Sequence, residues 1–140
     1  MIILGTNVVS ESFRPKPSTS VLNWLHIQSP STLCFTATSL AEIDRGLALL
    51  PDGKRKDHLK SETDDFLDTL FQGRIFAFDK AAAVELAELT AIASSKGQVI
   101  GFADGQIAAV ASVHKYAVAT RDVAPFEAAG LEVINPWLEK

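Results

Sequence analysis

Cysteine is nearly absent, histidine is sparse and positive charge runs short in this chain of 140 residues. A lone Cys34 closes no internal disulfide and has no second thiol for a structural zinc, so the fold must rest on its core and a reducing cytoplasm is the expected setting. The three histidines, His26, His58 and His114, lie far apart and lack metal-ligand spacing. His26 and His114 fall late in predicted helices, where a cation suits the dipole. No apolar run approaches the ~20 residues that span a bilayer. The apolar start Met1-Ile2-Ile3-Leu4 lacks the basic leader and long apolar stretch of a secretion signal. With 13 Lys and Arg against 17 Asp and Glu, the net charge is -4, which excludes a grip on nucleic acid by bulk charge and leaves only a local basic rim. Repeated glycines are also missing after the first apolar run, against a dinucleotide site, as is the tight acidic pair of a phosphate-accepting signalling domain.

What remains is 47% hydrophobic, enough for one domain with its own core. Ile2-Ile3-Leu4, ended by Gly5, has the all-apolar character of a buried parallel strand. Val21, Leu22, Trp24 and Leu25 recur at helical spacing over Ser18 to Gln28, with Ser18 or Thr19 as cap. Leu33 to Thr36 reads as a second strand. Ser39-Leu40-Ala41-Glu42 has capping-box spacing and predicts a helix through Leu50, stopped by Pro51 and Gly53. A long polar helix follows from Lys54 to Phe71, then a strand over Ile75 to Phe78. Asp79 caps an alanine-rich helix that Gly97 ends, near the apolar pair Val99-Ile100. Asp104 introduces a helix of small residues suited to close packing. Tyr116 to Thr120 and Leu131 to Ile134 supply the last strands, with Phe126 in a helical turn between them. Strands alternating with helices imply an α/β fold, a mainly parallel sheet covered on both faces.

In such a sheet a site forms beyond the carboxyl ends of the strands. Glu42, Asp104 and Asp122 all fall near such positions. Carboxylates gathered there repel one another unless a cation neutralises them, and an oxygen-only donor set suits a hard ion such as Mg²⁺, with Mn²⁺ as a substitute. The chemistry of that arrangement is phosphodiester hydrolysis. Each acid also has a structural reading: Glu42 closes a capping box with Ser39, Asp104 is an N-cap, and Asp122 is a turn residue.

The opening Met1-Ile2-Ile3-Leu4-Gly5-Thr6-Asn7-Val8-Val9-Ser10-Glu11 resembles the start of PIN-domain VapC toxins of the FitB-like branch, in which an aspartate precedes the Thr-Asn pair. Ala41-Glu42-Ile43-Asp44-Arg45-Gly46-Leu47 resembles the second acidic motif of that family, and Ala103-Asp104-Gly105-Gln106-Ile107-Ala108-Ala109 the third. Thr120-Arg121-Asp122 is similar to the fourth, and Gly130 to Trp137 to the usual ending. The resemblance implies a single PIN-like domain over 1–140 with a three-layer α/β/α fold. It implies a Mg²⁺- or Mn²⁺-dependent endoribonuclease toxin of a type II toxin-antitoxin system, with Glu42, Asp104 and Asp122 as its catalytic and metal-binding acids. Implied partners are RNA, a VapB- or FitA-like antitoxin, a second copy in a homodimer and a toxin-antitoxin hetero-oligomer, with DNA reached only through the antitoxin and no membrane. Two positions depart from the pattern. Gly5 carries no donor where the first aspartate belongs, and Pro125 replaces an acid common in relatives. Gly5 predicts a chain that folds but cleaves RNA poorly, or an inactive antitoxin-binding module that acts in autoregulation.

Other residues carry weaker signals. Lys54, Arg55, Lys56 and Lys60 could guide RNA, as could Arg14 and Lys16, but the helical group reads more simply as a solvated face balanced by Asp52, Asp57, Glu62, Asp64 and Asp65. Trp24 and Trp137 read as packing residues before stacking platforms. Glu11 and Arg45 are candidates to orient water or to pair with each other. Val21, Trp24 and Leu25 suit either the core or a helical partner.

Overall fold

The computed structural model describes residues 1–139. In chain order it contains β1 (Ile2–Leu4), α1 (Thr6–Glu11), α2 (Thr19–Ile27), β2 (Leu33–Thr36), α3 (Ala37–Ala48), α4 (Lys54–Phe71), β3 (Ile75–Phe76), α5 (Lys80–Ser95), α6 (Phe102–His114), β4 (Ala117–Ala119), α7 (Val123–Ala128) and β5 (Val133–Ile134), with a 3-10 turn at Pro30–Thr32. The strands form one sheet in the order β3-β2-β1-β4-β5, and every pairing is parallel. No helix among the described residues is long and apolar enough to cross a membrane.

Period-two alternation divides the strands between two cores. Ile3, Cys34 and Val118 face one side, where they pack with Ala82, Leu89 and Ala93 of α5, Ile107 to Ala111 of α6, and Phe126 of α7. Leu4, Leu33, Phe35 and Ala119 face the other, against Val8 and Val9 of α1, Val21 and Trp24 of α2, and Leu67 and Phe71 of α4. The result is the expected α/β/α sandwich. Burial removes the alternative for Val21 and Trp24, which belong to the core, while Leu25 is partly buried beside it. Cys34 is inert packing: its Sγ donates to the Ile2 carbonyl at 3.3 Å, and burial pushes its thiol up to about 11.

Several local expectations change. The N-cap of α3 is Thr36, whose Oγ1 accepts from the Ser39 amide at 3.1 Å, so the helix starts before the Ser39 capping box and Ser39 is buried within it. The helix ends at Ala48, short of Leu50. Helix α1 is additional to the predicted elements, because six residues are too short to show a periodic apolar stripe. Asp104 is not an N-cap; that place belongs to Gly101, and Asp104 lies in the first turn of α6. The outer strands are shorter than predicted, since β3 ends at Phe76 and β5 begins at Val133. Ser18 and Asp79 cap α2 and α5 as expected.

The close packing foreseen for α6 is present. A Cβ at Gly105 would lie 2.6 Å from Leu86 Cδ1 of α5. A second tie, from Thr38 Oγ1 of α3 to Gln106 Oε1 of α6 at 2.7 Å, joins the two helices that carry Glu42 and Asp104.

Candidate metal and phosphodiester site

Strand order fixes where a site forms. The chain builds outward from β1 through β2 to β3, then crosses to β4 on the other flank, so the order reverses between β1 and β4. Adjacent strands there send their following helices to opposite faces and leave a crevice at their carboxyl ends. Gly5 and Thr120 stand at that point, and the Gly5 amide donates to the Ala119 carbonyl at 2.8 Å. A cavity of about 330 Å³ opens above them, lined among others by Thr6, Asn7, Glu42, Asp104 and Thr120.

Glu42 reaches this crevice from the middle of α3, and its Oε1 accepts from Thr6 Oγ1 at 2.8 Å. Its work is therefore across the sheet, not in a cap at Ser39. Asp104 enters from the first turn of α6, where partial positive charge at the helix start favours a carboxylate. Asp122 stands at the N-cap position of α7 but caps nothing with its side chain; only its amide is engaged, donating to Thr120 Oγ1 at 3.2 Å. Burial raises the pKa of Asp104 above its ordinary 3.8, and the charges of Asp122 and then Glu42 raise it further.

The three acids thus share one rim without forming a closed cluster. Among the described residues, no three His, Cys, Asp or Glu side chains stand close enough to hold a metal ion. Both observations hold together because Coulomb repulsion acts over longer distances than coordination. The donors fit a hard divalent cation in kind, since all are oxygens and their mutual repulsion is unrelieved. Position 5 adds no further donor, because glycine offers no side chain. Its backbone does not demand glycine: φ is -68° and ψ 158°, ordinary extended values. A Cβ there would lie 3.0 Å from the Ala119 carbonyl oxygen and 3.3 Å from Asn7 Oδ1, so a side chain requires shifts of a few tenths of an ångström.

The remaining candidates fall elsewhere. Glu11 is buried and pairs with Arg14 at 3.4 Å while accepting the Ser18 amide at 2.9 Å, so it fastens α1 to the start of α2 and does not pair with Arg45. Lys56 and Lys60 pair with Asp52 and Asp64, in line with a solvated helix face. Thr38 and Gln106 carry no local signal in the sequence, because their contact spans 68 positions. The stacking of Arg121 over Trp137, 5.2 Å from guanidinium carbon to ring centre, is likewise a contact between residues distant in sequence.

Comparison with known proteins agrees with this geometry. The PIN domain profile matches residues 2–131. The chain is 45% identical to VapC ribonuclease Y4jK of Sinorhizobium fredii, with 98% of both chains covered. It is 42% identical to Toxin FitB of Neisseria gonorrhoeae, with 98% and 99% covered. Among solved structures, FitAB bound to an IR36 DNA fragment superimposes with a TM-score of 0.95 at 41% identity, covering 100% of this chain and 98% of that one. FitAcB from Neisseria gonorrhoeae gives 0.93 at 41%, with 99% of both covered. A parallel α/β/α sheet with acids at its switch point, matched over nearly its whole length at this identity, places the chain in the PIN-domain family as a close relative of the VapC and FitB toxins of toxin-antitoxin systems.

Proposed function

We propose that this chain is the toxin half of a type II toxin-antitoxin pair whose site hydrolyses RNA phosphodiesters with Mg²⁺ or Mn²⁺, weakened here by Gly5. The observation that carries this reading is the crevice between β1 and β4, where Glu42 and Asp104 line one cavity with Gly5 and Thr120, two residues before Asp122. Glu42, Asp104 and Asp122 would hold the ion. A bound divalent ion supplies charge that polarises phosphate oxygen and lowers the pKa of water. Thr6 orients Glu42 through its hydroxyl, and the Thr38–Gln106 bond sets the approach of α3 to α6. Gly5 adds neither charge nor ligand, so affinity for the ion falls.

An antitoxin partner is supported by a second groove of about 290 Å³, lined by Phe13, Ile43, Leu47 and Leu59 and sharing Thr6, Ser10 and Glu42 with the acidic cavity. A peptide with an apolar stretch and a basic end fits both at once. A homodimer would have exposed apolar side chains to cover, among them Leu49, Val99 and Phe102, exposed at 72%, 88% and 64%. The second reading, a module that binds antitoxin without chemistry, is favoured by Gly5 and by the absence of a closed acid cluster among the described residues.

Titration calorimetry with Mn²⁺ tests the metal reading. Gly5→Asp is expected to bind at least about tenfold more tightly than the chain as it stands, and Glu42→Gln in the Gly5→Asp background to lose that gain. Equal, negligible heats for all three folded proteins would favour the partner-binding module.

A further inference from the structure

An acidic rim on a chain of net charge -4 repels the phosphates it would have to cut, so an RNA strand needs a cation close to Glu42, Asp104 and Asp122. Four of the chain's cations are already engaged. Arg14 pairs with Glu11, Lys56 with Asp52 and Lys60 with Asp64. Arg74 is turned inward, donating to the carbonyls of Leu33, Pro30 and Leu70. Arg121 is distinguished by its position and, among the described residues, by the ring it lies over. It sits between Thr120, which lines the acidic cavity, and Asp122. It forms no ion pair among the described residues, yet it is not loose, because its guanidinium lies over the Trp137 ring.

That combination suits a phosphate. A guanidinium is planar and weakly hydrated, so one face can rest on an aromatic ring while its N–H edge stays open for two parallel bonds to an anion. Trp137 is itself held, packed against the core and with its amide donating to Asn135 Oδ1 at 3.0 Å. The indole therefore fixes a cation beside Asp122 without neutralising it. Resting on the RNA-cutting reading above, we infer that Arg121, laid across Trp137, is a positioning residue that contacts the RNA backbone as the strand crosses the acidic rim. Lysine at this place would keep the charge but lose the stacked plane.

Weak cleavage makes the chain as it stands suited to a binding measurement. Anisotropy of a labelled single-stranded RNA, followed across a salt series, reads the number of phosphate contacts from the slope of log affinity against log salt. Each contact contributes about 0.7 to that slope for a single strand. Arg121→Ala is expected to weaken binding and flatten the slope by about 0.7, and Arg121→Lys to keep the slope. Lys115→Asn, at the end of α6 opposite Asp104, is expected to change neither. Arg121 is exposed, so these variants should fold, and thermal melts check that they do. If the parent chain binds RNA and Arg121→Ala leaves its slope unchanged, Arg121 is not the contact, although the RNA reading stands. If the parent binds no RNA even at low salt, both fall together.

Discussion

Asp104 is the residue at which the site's electrostatics can be read without any metal. Its carboxyl is half-buried and faces the charges of Asp122 and Glu42, so its folded-state pKa lies above the value of an unfolded chain. A raised carboxyl favours folding while it is protonated, and that contribution is lost as pH climbs from the ordinary 3.8 through the raised value. At neutral pH the charged Asp104 is therefore a burden on the metal-free fold. Asp104→Asn should melt at a higher temperature at pH 7, and that advantage over the parent chain should shrink as pH falls through the raised value toward 3.8 in a pH series of thermal melts. Solvent screening at this half-exposed position keeps the gain below about 1 kcal/mol. Gly5 belongs to the same balance: it omits one more negative charge from the rim, and its ordinary φ means that no backbone strain requires it.

Elements bring these residues together, and here sequence and structure part in instructive places. Ser18 and Asp79 were readable as caps because a cap depends on residues three positions away. Ser39 misled for the same reason: Thr36, three residues earlier and at the end of a strand, competes for the same amide and wins. The acids of the rim could be placed from the alternation of strands and helices, since α3 and α7 leave the carboxyl ends of β2 and β4, and α6, which leads into the amino end of β4, starts at the opposite end. Contacts that cross the sheet, such as Thr6 to Glu42 or Arg121 to Trp137, leave no local pattern. Arg74 is a case of the same kind. From the loop before β3 it donates to carbonyls of Leu33, Pro30 and Leu70, clamping β2, the 3-10 turn and α4 in one hand. Arg74→Ala leaves those acceptors without a charged donor and should cost about 2–3 kcal/mol in chemical denaturation, while Arg74→Lys recovers only part.

At the scale of the whole molecule, the parallel sheet, the two cores and the switch-point crevice form one device for bringing distant acids to a single rim. Resemblance in the sequence motifs pointed to that rim, and the fold class it implied, a mainly parallel sheet between helices, is the one observed. Whether the rim performs chemistry turns on position 5, where the backbone would receive an aspartate with shifts of a few tenths of an ångström at Ala119 and Asn7. The decisive measurement is cleavage of a panel of structured RNAs by the chain as it stands and by Gly5→Asp, in Mg²⁺ or Mn²⁺, with chelator and with Glu42→Gln added to Gly5→Asp. A disabled nuclease predicts little cut by the present chain, cleavage restored by Gly5→Asp, and its loss with chelator or with Glu42→Gln. A Gly5→Asp protein that stays folded and cuts no RNA in the panel would contradict it, and would make the antitoxin-binding module the better description.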